Sequence, residues 1–527
     1  MQKSSTKTPE DLMLELINAT PSKHQGRNID TDSTGAMEKT TTGALDSTSV
    51  IIVGGGLSGT LTAINLLHCT ANQDVSITLL NPTAALGRGL AYRDNNNDLL
   101  LNVPAGNMSA FANAPSHFME FCQRIDPSIS AGSFMSRRLY GQYLERCLAD
   151  AMAAHPGRLH TMVGEVHEVQ ALAQTNGFTV KLSSGQCLAA QHVVLALGHQ
   201  PPRFPVPLGP QERDLVIDAW DFERMNRLPS DAPILILGTG HTAMDVLFHL
   251  TQRIRPSSVW MASRRGLLPE AHRLNPPPPL APGALNPASF GEPPLRTREL
   301  MRRLQQEVAR QVHRGLDWRD VFNQLRSHTP QLWHAMPLAE RRRFLRHAVA
   351  FWDVHRHRLA PLAAKRLQSL LAAGTVEVLA ARLLAVRKAS HDRLELEFKP
   401  RGQKNTQTLS VAAIINCTGP SMGIGPDSQP LLQQLVQDRL LVPDPCGLGL
   451  QVNDRHQITN AQGNAVPGLW YVGPMLKARY WEATAAPELR VHAQQLAQHL
   501  ATQMAAHSKS STLTECQDRH FAHLTNR

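Results

Sequence analysis

Two glycine clusters have the residue types and spacing to handle phosphate: Gly54-Gly55-Gly56-Leu57-Ser58-Gly59 and Gly238-Thr239-Gly240-His241-Thr242-Ala243. In such a turn the first glycine (Gly54, Gly238) permits a tight reversal. The second (Gly56, Gly240) lets backbone approach a pyrophosphate, and a small third residue (Gly59, Ala243) lets a helix pack closely on a strand. The first turn of that helix, with Leu57 and Ser58 in one case and Thr242 in the other, offers N–H groups and a positive dipole end to the phosphates. The chemistry implied is the binding of two dinucleotides.

The flanking residues supply the elements such turns require. Ser49–Val53 is a β-branched run and Thr60–Leu67 has helical apolar spacing. Pro233–Leu237 and the pattern continuing to Leu250 repeat the arrangement. Strand, glycine turn and helix in that order turn a weak motif into a specific one. A second strand, Val75–Leu80, ends at Asn81, where an acid ordinarily accepts hydrogen bonds from a ribose. Asn81 can accept through its carbonyl oxygen, without charge. After the second turn, Val259–Ala262 ends in Ser263-Arg264-Arg265. Two guanidinium groups and a hydroxyl suit a 2′-phosphate, so NADPH is expected there rather than NADH.

Further segments follow in order. Gly87-Arg88-Gly89-Leu90-Ala91-Tyr92 precedes Leu99-Leu100-Leu101-Asn102-Val103-Pro104-Ala105. His160–Val169, Phe178–Leu182 and Gly185–Leu188 read as hairpin strands leading to Val193–Gly198-His199. Downstream lie Gly266–His272, Asp317-Trp318-Arg319, Trp352–Arg358, Ala413–Pro420, Gly468–Pro474 and Tyr480–Arg490. Over Val50–Leu496 the chain resembles a bacterial FAD/NAD(P)-binding family of two-nucleotide flavoproteins, which includes FAD-dependent urate hydroxylase-like and flavin monooxygenase proteins.

The resemblance implies FAD at the first turn, with Arg88, Gly89, Ala91, Tyr92, Asn102, Val103, Pro104, Val166, Gly198, Gly473 and Thr484 beside it. Pro474 replaces the Asp common in related flavoproteins, so the ribityl contact must come from elsewhere. Trp481 and Glu482 are the side chains expected nearest the flavin, and Arg356 and His357 the candidates for substrate or a cofactor phosphate. Packing and hydrogen bonding would account for these four equally well. His355 and His357 are two apart, which on a helix points them in different directions and argues against a shared metal. Cys417 reads as a small buried apolar residue.

At 527 residues the chain is too long for one core. The expected class is α/β, with two Rossmann-like dinucleotide-binding domains (FAD and NADPH) and a helical insert. The divisions are a disordered extension at 1–48, FAD-binding parts at 49–228 and 413–503, NADPH-binding parts at 229–295 and 373–412, the insert at 296–372, and a flexible tail at 504–527. A short helix at Glu10–Ile17 has no assigned role, and Pro276–Pro279 reads as a loop. The net charge of +10 is spread over many segments without a nucleic-acid motif, and is read as solvated helix faces and the pull of anionic cofactors. Seven scattered cysteines without a Cys-x-x-Cys pair indicate a reducing compartment. No signal or membrane span is apparent, so the expected location is the cytoplasm.

The function that follows is an FAD- and NADPH-dependent oxidoreductase acting on a small molecule. By resemblance it is a monooxygenase working with molecular oxygen through a flavin hydroperoxide. The alternatives are a flavin dehydrogenase or reductase with another acceptor, and a nucleotide-binding redox sensor.

Overall fold

A computed structural model describes residues 48–93, 96–172, 177–274, 286–389 and 392–524, with side chains described as far as residue 506 except at 287. The expected extension, the helix at Glu10–Ile17 and the proline run at Pro276–Pro279 lie outside the described residues.

The first sheet is centred on β1 (Thr48–Val53), whose apolar run is continuous because both its faces are buried. It pairs in parallel with β2 (Val75–Asn81), which continues to β3 (Leu159–Val163). On its other side it pairs with β7 (His192–Leu195), followed by β16 (Ala465–Tyr471). β15 (Gln457–Thr459) closes that edge antiparallel. Val50 and Ile52 face a core shared with α1 (Leu57–Cys69), α2 (Arg137–Ala154) and α10 (Ala486–Leu524). Ile51 and Val53 face the opposite core, which includes an antiparallel meander of β4 (Val166–Ala171), β5 (Phe178–Leu182) and β6 (Cys187–Ala190). The segment read as one strand over His160–Val169 therefore divides at Gly164 and Glu165. Its first part extends the parallel sheet and its second part, starting at Val166, opens the meander.

The second sheet has the order β13-β12-β11-β10-β9-β14-β8. Its parallel centre is β9 (Pro233–Leu237), flanked by β10 (Ser258–Ser263) and β14 (Ala413–Asn416). α3 (His241–Arg253) follows β9 and packs on the sheet through Ala243, Val246 and Leu250. β11 (Val376–Lys388) pairs in parallel with β10, then antiparallel with β12 (Leu394–Pro400), itself paired with β13 (Gln407–Val411). β14 and the edge strand β8 (Val216–Asp218) belong here, although residues 49–228 and 413–503 were expected with the first sheet. A four-residue apolar run fits either sheet, and only the pairing of Ile414 with Leu235 decides.

Between β10 and β11, among the described residues, lie six helices: α4 (Thr297–His313), α5 (Trp318–Leu325), α6 (Thr329–Ala335), α7 (Leu338–His347), α8 (Val349–Arg356) and α9 (Pro361–Ala372). α4 to α8 share a core of Leu300, Leu304, Phe322, Trp333, Phe344 and Trp352. α9 packs instead against the second sheet through Leu367. α10 runs through to Leu524, past the boundary drawn at 503. The fold is thus α/β with two parallel-sheet dinucleotide-binding domains and a helical insert. Among the described residues, no helix is long and apolar enough to cross a membrane.

Candidate functional site

The two glycine turns are built alike at the carboxyl ends of β1 and β9. Gly54 has φ +109° and Gly238 φ +136°, and a Cβ on either would collide with a carbonyl oxygen of the neighbouring strand's end, Ala196 or Cys417. Gly56 and Gly240 cap α1 and α3 in extended conformation, with no side-chain cap on either helix. The first-turn N–H groups, including those of Leu57, Ser58 and Thr242, are thereby left for an anion. A Cβ at Gly56 would come within 3.4 Å of Gly89, whereas one at Gly240 meets nothing within 4 Å. The structure fits a dinucleotide at both turns: a narrow backbone cradle at the first and an open one at the second.

Around the first turn, Asn81 is engaged by the protein. Its Oδ1 accepts from the Gly55 N–H at 3.0 Å, and its amide donates to Thr83 and Ala85 carbonyls. It shapes the glycine loop from the side. Arg88 makes a two-pronged ion pair with Glu145 on α2 (2.6 and 2.8 Å), so its charge is already matched. Gly89 has φ +53° and lies against Gly56, while Ala91 and Tyr92 are half-buried, the Tyr92 ring edge-on to Tyr140. Asn102, Val103 and Pro104 form a half-buried bend between Leu101 and Ala105, which bond to the backbone of Met135 and Ser133. Val166 starts β4, Gly198 (φ +68°) follows β7, Gly473 (φ +141°) follows β16, and half-buried Thr484 precedes α10.

At the second turn the expected trio divides. The Ser263 hydroxyl accepts from Thr239 Oγ1 (3.0 Å) and from the Gly266 N–H (3.0 Å), so it fixes the turn. Arg265 donates to the carbonyls of Arg346 and His347 at the end of α7 and lies over the Phe351 ring at 4.9 Å. It anchors the insert. Arg264 is exposed and makes no such contact, which leaves its guanidinium for a phosphate.

The domains meet around α8 and the segment after β16. Arg356 makes a bidentate ion pair with Glu482 (2.8 and 3.2 Å), both nearly buried. The structure thus joins two residues read separately as catalytic candidates, and their mutual neutralisation makes them a tie between insert and first domain. Trp481 is 5% exposed and its ring packs on Trp333 (4.6 Å) and Phe344 (5.3 Å), so it fills the insert's core instead of facing a substrate. His355 packs against Trp318 and Phe322. The His357 carbonyl accepts from His241 Nε2 on α3 at 3.0 Å, and its ring lies 4.0 Å from Asp353. Burial, then Arg356 and Lys477, keep His357 well below the usual imidazole range. Burial holds His241 down at about 4, so its ring is neutral and donates through Nε2.

Sequence reasoning missed the groups between these. Arg137, at the start of α2, pairs with Asp245 on α3 at 2.8 Å with both side chains nearly buried, and so bolts the first domain to the second. His272 Nε2 donates to the Asn102 carbonyl (3.1 Å), a second link between the domains. Lys477 lies over the Trp481 ring at 4.6 Å and has no ion-pair partner among the described residues. The His199 imidazole is held down at about 4 by desolvation and by Lys477. Asp353, which is 44% exposed, is raised above the usual aspartate range by burial, against Lys477 and Arg356. The only sequence signal was position: Asp245 closes the second glycine segment and Asp353 lies in the Trp352–Arg358 run. Cys417 is buried with its thiol pushed well up, as expected of a packing residue. No group of three or more metal-ligating side chains is gathered among the described residues.

No curated protein sequence matches this one. Residues 51–200, from within β1 to just past β7, match the FAD-NAD(P)-binding family. Among solved structures, the ornithine N-hydroxylase of Kutzneria sp. 744 aligns over 87% of this chain and 100% of its own, with TM-score 0.58 and 14% identity. The reduced ornithine hydroxylase of Pseudomonas aeruginosa gives 87% and 100%, TM-score 0.59 and 14% identity. The L-lysine 6-monooxygenase of Pseudomonas syringae gives 87% and 99%, TM-score 0.59 and 17% identity. The chain therefore has the fold of these hydroxylases and monooxygenase, with the segment matching the FAD-NAD(P)-binding family at its first domain.

Proposed function

We propose that the chain is an NADPH-dependent FAD monooxygenase that hydroxylates a small molecule. The observation that carries this is the pair of uncapped glycine turns, on two domains bolted together by Arg137–Asp245. The aligned structures support it, as they include an ornithine N-hydroxylase with reduced FAD and NADP+ and a lysine monooxygenase. FAD held there would supply the chemistry of accepting hydride from NADPH and passing electrons to dioxygen.

The chain's own residues do the rest. Gly54, Gly56 and the first turn of α1 would hold the FAD pyrophosphate, with Gly89, Asn102–Pro104, Gly198, Gly473 and Thr484 as its further binding residues. Gly238, Gly240 and Thr242 hold the NADPH pyrophosphate, and Arg264 reads its 2′-phosphate. Arg356–Glu482 ties α8 to the segment after β16. Beside it Lys477 has no ion-pair partner among the described residues, and it suits an anionic substrate. Urate-like chemistry, and affiliation with the urate hydroxylase-like proteins, rest on the segments at 87–92 and 99–105. Scattered free cysteines fit a cytoplasmic setting.

The test is to purify the chain and titrate it anaerobically. A yellow protein bleached by NADPH faster than by NADH is expected. A colourless protein that FAD does not restore would remove the first-site assignment and the proposal with it.

A further inference from the structure

A cavity of about 1060 Å³ lies against the end of α3 that is remote from the second glycine turn. His249, Arg253 and Ile254 line it. At about 1.5 Å of rise per residue, Arg253 is roughly 18 Å along the helix from His241, where the glycine turn ends. Neither glycine cluster contributes to the wall among the described residues. One wall is the run between β8 and the short helix Phe222–Asn226, in which acids and aromatic rings are interleaved: Asp218, Trp220, Asp221, Phe222 and Glu223. The guanidinium groups come from elsewhere, Arg253 from the end of α3 and Arg93 from the first domain, directly after Tyr92.

The acid-bearing wall is held in place by its neighbours. His249, only 6% exposed, donates from Nε2 to the Asn226 Oδ1 at 2.8 Å and packs its ring on Phe222 at 4.6 Å. One oxygen of Asp218 accepts from the Trp220 N–H (2.8 Å) and one of Asp221 from the Arg224 N–H (3.0 Å), and each carboxylate keeps its second oxygen. Arg93, Arg253 and Glu223 form no ion pair among the described residues. Opposite charges around one cavity ordinarily gain by pairing with each other, and here they stand apart. A lone anion would meet three carboxylates and a lone cation two guanidinium groups, so either single charge is opposed by part of the wall. A ligand carrying both charges satisfies both sets. The volume is that of a small-molecule site, and Trp220 and Phe222 offer apolar surface to a ligand body and a π face to its cation.

We propose that this cavity binds an extended zwitterion, an ammonium and a carboxylate joined by an apolar spacer, as in an ω-amino acid. The ammonium lies against Glu223 and the second oxygens of Asp218 and Asp221, and the carboxylate against Arg253 and Arg93. This ligand is additional to the two nucleotides, and its site stands whether or not reduced flavin hydroxylates a substrate.

Calorimetric titration of the purified full-length chain with ε-aminocaproate, hexylamine and hexanoate tests the assignment. The zwitterion should saturate one site below about 10 mM, and each single-charge compound should bind at least about 10-fold more weakly, the worth of one charge-assisted contact. Arg253→Ala should weaken ε-aminocaproate about 10-fold, down to the level of hexylamine, and Glu223→Gln should bring it down to the level of hexanoate. Both side chains are exposed, so the variants should keep wild-type circular dichroism and wild-type bleaching by NADPH. Absence of saturation by ε-aminocaproate overturns the inference. So does hexylamine or hexanoate binding as tightly as the zwitterion, or an affinity for it that both substitutions leave unaltered. Failure of NADPH to bleach the wild type would overturn the monooxygenase reading and leave the outcome of this titration in place.

Discussion

At the scale of single residues, the second nucleotide site makes the sharpest statement. Arg264 and Arg265 are adjacent and chemically identical, yet one is free and the other is spent on the carbonyls at the end of α7. Arg264→Ala should therefore raise the KM for NADPH about 10- to 100-fold, the worth of one charge-assisted hydrogen bond, and leave NADH unchanged. Arg265→Ala should weaken use of both nucleotides equally by loosening the insert. Steady-state kinetics with both cofactors separates the two, and equal selectivity loss from both variants would reject the assignment. Gly56 faces Gly89 across a gap that a side chain would close, so Gly56→Val should yield a folded protein without retained flavin, read from its absorbance and circular dichroism. The glycines were legible because their chemistry is local. The division between Arg264 and Arg265 was not, because it depends on an α7 end more than 80 residues further along the chain.

At the scale of elements, the insert is tied to the rest of the chain by contacts beyond its own apolar core. Arg356 binds Glu482, Arg326 binds Glu488 at the start of α10, and Trp333 Nε1 donates to the Ala478 carbonyl (3.1 Å). The first of these is nearly buried, so Glu482→Ala leaves an unmatched guanidinium inside the protein. Calorimetry should register a loss of about 3–5 kcal/mol, against a far smaller loss for a charge removed at exposed Asp454. The helical spacing of residues 298–371 predicted the insert's helices. It could not show that Trp481, read as a flavin neighbour, would be drawn into their core. Sequence order placed that residue near the first domain's last segment, and tertiary packing then took its ring the other way. The same limit hid β8 and β14, whose apolar runs are too short to declare a sheet.

At the scale of the whole molecule, two large sheets, a three-stranded meander and a bundle are clamped by buried groups that must keep their charge state. Beyond Arg137–Asp245, three neutral imidazoles lie at domain contacts or within the first domain's core: His272 at about 3, His456 at about 3 and His492 at about 4, all by burial. His456 and His492 hydrogen-bond each other at 3.2 Å. In the unfolded chain these residues protonate near the ordinary value of about 6.5; in the folded chain they resist until pH is far lower. Unfolded chain then binds more protons, so stability is full above that value and falls as pH drops toward 4, by up to about 1.4 kcal/mol per pH unit per histidine. Thermal melts from pH 7 to 4 should show this fall, and His456→Phe or His492→Phe should flatten it. The two-domain plan was readable from the repeated strand, glycine turn and helix. The clamps were not, since Arg137, Asp245 and His272 are ordinary residues until the domains meet.

The measurement that bears most directly on the central claim follows both electrons and oxygen. FAD-loaded protein, reduced by NADPH under argon, would be mixed with 18O-labelled dioxygen and a panel of small anionic and amine compounds. The account predicts that bound flavin is bleached by NADPH, and that one compound gains a single labelled oxygen atom while water takes the other. A flavin that NADPH does not reduce, or a substrate oxidised with no label in the product, would contradict it.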